Sequence, residues 1–465
     1  MAASTTTESR ARLTLGIAAL AALATYLDTT ILFVAFPDIT KTFGESDPST
    51  LSWVINAYTI AFAALLVPAG KLADRFGHKH AFLTGSALFT AASMACGFAP
   101  TVAFLIVARI VQGTGSAILI PASLALVMAA FPRDRLPYVV AIWGAIGAMS
   151  AALGPSLGAL IVDTFGWRWA FFINLPIGLV TLAAGSRYLE QSRDRSVRLP
   201  SPVGIVLVAA AAGTLLYGVV ESNNAGWASA QTVVVLGLGA LLLAAFVAHQ
   251  RHTDAPTLDL ELFSLRNFRW GNLAMFAYST AFSAMFFGSI LFLVNVWEWS
   301  ILEAGFAVAP GPAVAALLAP RFGKLAGQIG QRPLVIAGGS LFAVAGLYMG
   351  WSLTSEVGYL TDFVVPWALV AVSVPLVFPQ VTSVAAQALP PNRVGVGGAT
   401  TQAVRQFGAS FGVAMTIALL GSLAVGGDLV GRFDRVWLFL VAGGVLTAAM
   451  AVPLHTGDPA QGQKG

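Results

Sequence analysis

Charge is what this sequence has least of. Only 10% of its 465 residues are Asp, Glu, Lys or Arg, where a soluble domain carries about 25%, so a water-exposed surface of the usual kind is excluded. Cysteine occurs once, at Cys96 inside an apolar run, which rules out an internal disulfide and a cysteine-built metal site. The five histidines, His78, His80, His249, His252 and His455, sit in or near the loops between apolar runs with no metal-ligand grouping. No phosphate loop, metal cluster or nucleophile triad stands in a context that would support enzymology, so no cofactor, ATP or metal is expected. The small basic excess, 25 Lys and Arg against 21 Asp and Glu, forms no patch outside those loops; it argues for membrane topology and against nucleic acid.

What is there is apolar. Hydrophobic residues make up 57% of the chain and mean hydropathy is +0.80, the signature of an integral membrane protein. At roughly 20 residues per span, runs of spanning length occur near 13–36, 51–70, 81–99, 102–129, 138–162, 169–187, 203–220, 231–248, 270–295, 304–320, 334–353, 362–388, 398–424 and 436–454. An all-α membrane protein of fourteen helices is predicted. The first run follows Arg10 and Arg12 in the manner of a secretory signal, but it continues past Asp28 through Ile31–Phe36, too long for a signal core, and an uncleaved span is expected. With the N-terminus inside, only Lys41, Arg168, Arg432 and Arg435 fall in outer loops, and Arg109 and Arg405 within spans; all other Lys and Arg lie on the cytoplasmic side, so both termini are expected there.

One stretch repeats. Gly70-Lys71-Leu72-Ala73-Asp74-Arg75-Phe76-Gly77-His78-Lys79-His80 returns imperfectly as Gly323-Lys324-Leu325-Ala326-Gly327-Gln328-Ile329-Gly330-Gln331-Arg332-Pro333. The glycines are expected to let two helices turn within a few residues, and the Lys and Arg side chains to hold the turn at an anionic lipid surface. Eight predicted spans separate the copies, an even number, which implies a parallel repeat about an axis along the membrane normal. The offset from 70 to 323 is generous for six helices and fits six plus an inserted pair. The expected organisation is a six-helix half over 1–200, an inserted helix pair over 201–250 and a second six-helix half over 251–465.

These residues resemble a known family. The Gly70–His80 stretch is similar to the signature between helices two and three of the major facilitator superfamily, and Arg109-Ile110-Val111-Gln112-Gly113-Thr114-Gly115 resembles its RxxQGxG motif. Gly154-Pro155-Ser156-Leu157-Gly158 resembles the motif of its antiporters, with Ala159 departing from it. Trp167–Gly178 resembles the WRWxFxINxPxG run of the fourteen-helix drug:proton antiporters, and Leu27-Asp28-Thr29-Thr30-Ile31 and Ala35-Phe36-Pro37 resemble elements of their first helix. The resemblance implies a multidrug efflux transporter of the plasma membrane, working by alternating access. It would exchange lipophilic or cationic small molecules for protons, with the proton gradient, protons and membrane lipids as its only partners and a monomer as its state. A dedicated exporter of one metabolite, antibiotic or lipid on the same fold is the alternative, and a non-transporting sensor or scaffold a second.

Burying an ionisable side chain in lipid costs at least about 2.5 to 3.5 kcal/mol on insertion scales, so Asp28, Arg109 and Arg405 require a reason. Asp28 lies halfway along the first helix, where desolvation favours its neutral form and a nearby cation such as Arg109 its ionised form; a group so balanced suits a proton carrier. The resemblance assigns the cluster of Gly70, Asp74, Arg75, Gly77 and Lys79 to closing the cytoplasmic side, and Gly154, Pro155 and Gly158 to a seal against proton leak. Arg405 reads as a gating or structural partner. Met275, Tyr278, Phe282 and Phe286 follow one helical face and suit flat lipophilic guests, with Asn56 and Tyr58 as weaker candidates. A plain packing stripe would show the same aromatic spacing.

Overall fold

In a hydrocarbon environment every backbone N–H and C=O must be satisfied within the segment, which leaves helices as the form available to long apolar runs. The computed structural model describes residues 2–44, 48–132, 135–192, 199–390, 393–421 and 428–455. Its helices are α1 (Ala2–Thr42), α2 (Pro48–Phe76), α3 (His78–Gly97), α4 (Val102–Ala130), α5 (Leu136–Phe165), α6 (Trp169–Phe172), α7 (Asn174–Tyr188), α8 (Pro202–Ala225) and α9 (Ala230–His252), then α10 (Arg266–Asn295), α11 (Ile301–Val308), α12 (Pro310–Ile329), α13 (Gln331–Ser352), α14 (Val364–Gln387), α15 (Val394–Leu420) and α16 (Leu429–Ala451). The pairs α6/α7 and α11/α12 each make one span, so fourteen spans result. Twelve meet a length and hydropathy criterion for crossing a membrane; α3, which opens on His78-Lys79-His80, and α5 are the other two.

Among the described residues each predicted apolar run is helical, with 422–424 of the run 398–424 lying outside them, and the differences lie at the ends. The tenth run, with Pro310, Pro312 and Pro320, is interrupted once, at Ala309, and still makes one span: a Ser300–Glu303 capping box starts α11, Pro310 restarts the helix at the first position of α12, where a missing N–H costs nothing, and Pro320 lies inside α12. α16 begins at Leu429, so Arg432 and Arg435 ride its first turns rather than a loop. The turn glycines also need correcting. Gly70 lies inside α2, and the turn is made by Gly77 alone, at φ 113°; in the second copy Gly323 and Gly327 lie inside α12 and Gly330 turns the chain at φ 81°. Asp74 and Arg75 therefore stand on the last turn of a helix. Only the eighth residue of each copy needs the left-handed backbone that favours glycine.

Two compact units appear: residues 1–209 with 253–257, and residues 210–252 with 258–465. Inside each, the same packing recurs. In the first, α1 packs on α5 and α7, α2 on α4, and α3 on α4 and α7; in the second, α10 packs on α15 and α16, α12 on α14, and α13 on α14 and α16. The boundary falls within α8. α9 is the least buried span, with 17% of its apolar window covered, as a helix facing lipid would be. The second-unit part of α8 still meets it, since Leu215 lies against Gly239.

Glycine sets the closest approaches. A Cβ on Gly113 of α4 would collide with the Tyr58 carbonyl of α2, and one on Gly115 would come within 2.6 Å of the Phe89 nitrogen of α3. On α5, Gly154 meets Thr30 and Gly158 meets Ile31, both on α1; on α15, at the same four-residue spacing, Gly408 meets Phe276 and Gly412 meets Thr280 of α10. Ala159, the departure from the antiporter motif, is fully buried. Gly113→Ala should therefore destabilise the detergent-solubilised protein by about 1–3 kcal/mol. Gly323→Ala, with nothing within 4 Å of the added carbon, should leave thermal unfolding unchanged or slightly raised.

Candidate functional site

Asp28, about two-thirds of the way along α1, is 3% exposed, and Arg109 on α4 is 1% exposed. They meet: Arg109 Nη1 donates to Asp28 Oδ2 at 2.6 Å. The other carboxylate oxygen, Oδ1, accepts from Gln112 Nε2 at 2.8 Å and from Asn174 Nδ2, at the start of α7, at 3.1 Å. Three donors from two helices thus hold the ionised carboxylate. Arg109 has further partners of its own. Its Nη1 reaches Gln112 Oε1 at 2.7 Å, its Nε donates to the Val54 carbonyl at 3.0 Å, and its guanidinium carbon lies 4.1 Å from the centre of the Tyr58 ring. The Tyr58 hydroxyl pairs with Ser116 Oγ at 2.8 Å, which fixes the ring beneath the cation.

This arrangement can exist in two charge states. An ion pair in a low-dielectric interior is tolerated only when its remaining donors and acceptors are satisfied, and breaking it ordinarily strands a charge. Here, if Asp28 is neutralised, the guanidinium keeps a carbonyl, an amide oxygen and a ring face. Loss of the carboxylate charge does not leave Arg109 bare.

The sequence placed Asp28 and Arg109 as a pair; Tyr58, expected only as a weaker substrate candidate, joins them through its ring and hydroxyl. It missed Gln112, Asn174 and Ser93 as members of the site. Gln112 follows Arg109 by three residues on one helix face, and Asn174 is the polar residue inside an otherwise apolar segment, so both carried a signal. Ser93, which accepts from Asn174 Nδ2 at 2.9 Å and donates to the Phe171 carbonyl at 2.9 Å, carried none.

The Gly70–His80 stretch clasps the chain that follows α7. His78 Nε2 pairs with Asp74 Oδ1 at 2.9 Å, and its Nδ1 with Ser192 Oγ at 2.8 Å. Lys79 Nζ donates to the Ser186 carbonyl, its backbone N–H donates to Gln191 Oε1, and Gln191 Nε2 pairs with His80 Nδ1. Lys71 Nζ ends on the Pro256 carbonyl at 2.6 Å. The lysines expected to reach lipid are thus spent on backbone carbonyls, and a Cβ at Gly77 would strike the Gln191 amide. Arg75 is half-buried in the last turn of α2.

Of the other candidates, Asn56 belongs to the first unit and is fully buried, with neither amide atom hydrogen-bonded. In the second unit Met275, Tyr278 and Phe286 are buried and Phe282 is half-buried. Tyr278 is committed to packing: its hydroxyl meets Ser373 Oγ at 2.6 Å and its ring contacts Phe342, Phe378 and Phe282. The Arg405 guanidinium lies 5.5 Å from the Phe378 ring centre, joining that aromatic group. Among the described residues no group of three or more His, Cys, Asp or Glu could hold a metal.

Comparison with known proteins bears on this geometry. Residues 18–413 match the model of the Major Facilitator Superfamily. The chain is 35% identical over 403 residues to multidrug resistance protein Stp of Mycobacterium tuberculosis (strain ATCC 25618 / H37Rv), covering 86% of this chain and 73% of that protein. It is 31% identical over 466 residues to the cephamycin export protein CmcT of Amycolatopsis lactamdurans, covering 98% and 96%. In fold it is similar to the crystal structure of an autoinhibited POT family peptide transporter, with a TM-score of 0.70 at 16% identity and coverage of 97% and 98%. Twelve helices long and apolar enough to span, among the described residues, and a family match over most of the chain lead to one conclusion: this chain is a membrane transport protein, not an enzyme, and belongs to the major facilitator superfamily, in its drug-efflux family.

Proposed function

We propose that the protein exports lipophilic or cationic small molecules across the plasma membrane in exchange for protons, by alternating access, with Asp28 carrying the proton and Arg109 answering its charge. The observation that carries the reading is the buried carboxylate held at 2.6 Å by a cation that has a second set of partners. Each proton moving inward gains about 2.3 kcal/mol per 100 mV of membrane potential, which can be coupled to moving an amphiphile outward. In this reading both termini are cytoplasmic, 1–200 and 251–465 are the two six-helix halves, and 201–250 is an inserted pair. The clasp around Asp74, His78 and Gln191 belongs to the cytoplasmic gate, and Gly154, Pro155 and Gly158 seal the leak path beside Asp28.

Substrate contact is assigned, within the first unit, to Asn56 and Tyr58, and separately, within the second unit, to the half-buried Phe282 with Met275, Tyr278 and Phe286 packed on the same helix. Arg405, against Phe378, is a gating partner in the second half. A second reading, a dedicated exporter of one antibiotic, is favoured by the near full-length match to a cephamycin export protein; a transport panel of unrelated cations and β-lactams separates broad from narrow range.

In proteoliposomes, an imposed pH gradient should drive ethidium or a panel substrate through the native protein and not through Asp28→Asn; undiminished gradient-driven flux in that variant would remove Asp28 as the carrier. Asp74→Ala should lower turnover several-fold at unchanged membrane insertion, and unaltered turnover would take the clasp out of the gate.

A further inference from the structure

Asn174 is fully buried at the first position of α7, directly after the break at Ile173 that separates α6 from α7. Its two amide atoms are treated unequally. Nδ2 donates twice, to Asp28 Oδ1 at 3.1 Å and to Ser93 Oγ at 2.9 Å, whereas Oδ1 has no hydrogen-bond partner. An idle carbonyl oxygen in a buried site is costly, and one beside a carboxylate invites an account.

The account comes from asking what the site needs when Asp28 is neutral. Ionised, the carboxylate only accepts; protonated on Oδ1, that oxygen becomes a donor and faces two N–H groups, those of Gln112 and Asn174. Donor would oppose donor. Gln112 is not free to turn, because its Oε1 is held by Arg109 Nη1 at 2.7 Å and by Cys96 Sγ at 3.6 Å. Asn174 differs in that its Oδ1 holds no bond, so a half-turn of its terminal amide exchanges the two bonds that Nδ2 donates, to Asp28 and to Ser93, for two that Oδ1 can accept, one of them from the new O–H.

Resting on the reading of Asp28 as proton carrier, we infer that Asn174 is a positioning residue whose amide turns over with the proton, donating to the Asp28 carboxylate in one state and accepting from the carboxylic acid in the other. One O–H bond forms, on Asp28, from an incoming proton, and no other covalent bond changes. Ser93 completes the exchange. Its hydroxyl accepts from Asn174 in the ionised state; in the neutral state it swings its own proton from the Phe171 carbonyl to the turned amide oxygen. A proton on α1 is thereby reported to α3 and to the α6/α7 break. The other titratable or charged groups facing Asp28 are Arg109 on α4, Tyr58 on α2 and Cys96 on α3; α5 and α6 bring none among the described residues.

The test is infrared difference spectroscopy, acid minus alkaline, on the full-length protein in lipid nanodiscs, with Asp28→Asn used to assign the carboxylic-acid C=O band. In Asn174→Leu the Asp28 band should move to higher frequency, because the acid has lost its acceptor. In Ser93→Ala it should shift the same way by less, so the inference stays testable if Asn174→Leu does not fold. A band lost in Asp28→Asn but at the native frequency in both Asn174→Leu and Ser93→Ala overturns the amide turnover and leaves Asp28 as carrier. No band removed by Asp28→Asn overturns both. A residue that merely fixed α7 would lower transport without moving that band.

Discussion

The ion pair between Asp28 and Arg109 constrains everything around it. Two charges removed from water are tolerated only if most of their donors and acceptors find partners, and no single helix can supply that many. Here α1 gives the carboxylate, α4 the guanidinium and the Gln112 amide, α2 a carbonyl and a ring, and α7 the Asn174 amide. Four helices must therefore converge on one point. The glycines described above let them: Gly113 admits the α2 backbone that carries Val54 and Tyr58, Gly154 and Gly158 bring α5 onto α1, and Gly178 of α7 closes on Thr90 of α3 next to the Ser93–Asn174 bond. Polar satisfaction and small residues are two sides of one requirement.

The two units answer different demands with the same packing. The first concentrates buried charge and amides around Asp28. In the second, the same helix pairings surround an aromatic group of Tyr278, Phe282, Phe342 and Phe378, with Arg405 at its edge. The same packing thus accommodates buried charge in one unit and an aromatic group in the other.

Much of the fold was legible because hydrocarbon thickness leaves so little choice: a long run without charge must be a spanning helix. The ends were less legible, since a helix can continue into water for several turns, as α2 does through Phe76 and α16 from Leu429. Glycine position was misread for the same reason. Gly70 and Gly77 look alike in sequence, but a glycine inside a helix and one that ends it differ in φ, which pattern does not encode. Within the site, the Asp28–Arg109 pair could be anticipated from cost alone. Backbone partners such as the Val54 and Phe171 carbonyls could not, because every residue has a carbonyl and only folding selects which one is presented. The aromatic face of α10 shows the limit of periodicity: Tyr278 and Phe282 share it, yet Tyr278 is fully buried and bonded to Ser373 while Phe282 is half-exposed.

The seam between α5 and α1 and its counterpart between α15 and α10 both use glycines four residues apart, but those glycines meet different things. Gly408 and Gly412 face the carbonyls of Phe276 and Thr280, whereas Gly154 and Gly158 face the side chains of Thr30 and Ile31, which sit over them as pegs over two sockets. A side chain seated in a groove fixes where one helix stands along another. Asp28 lies two residues before Thr30 on α1, so the sockets of α5 set the height of the buried carboxylate: the charge is held in register by a keyed joint.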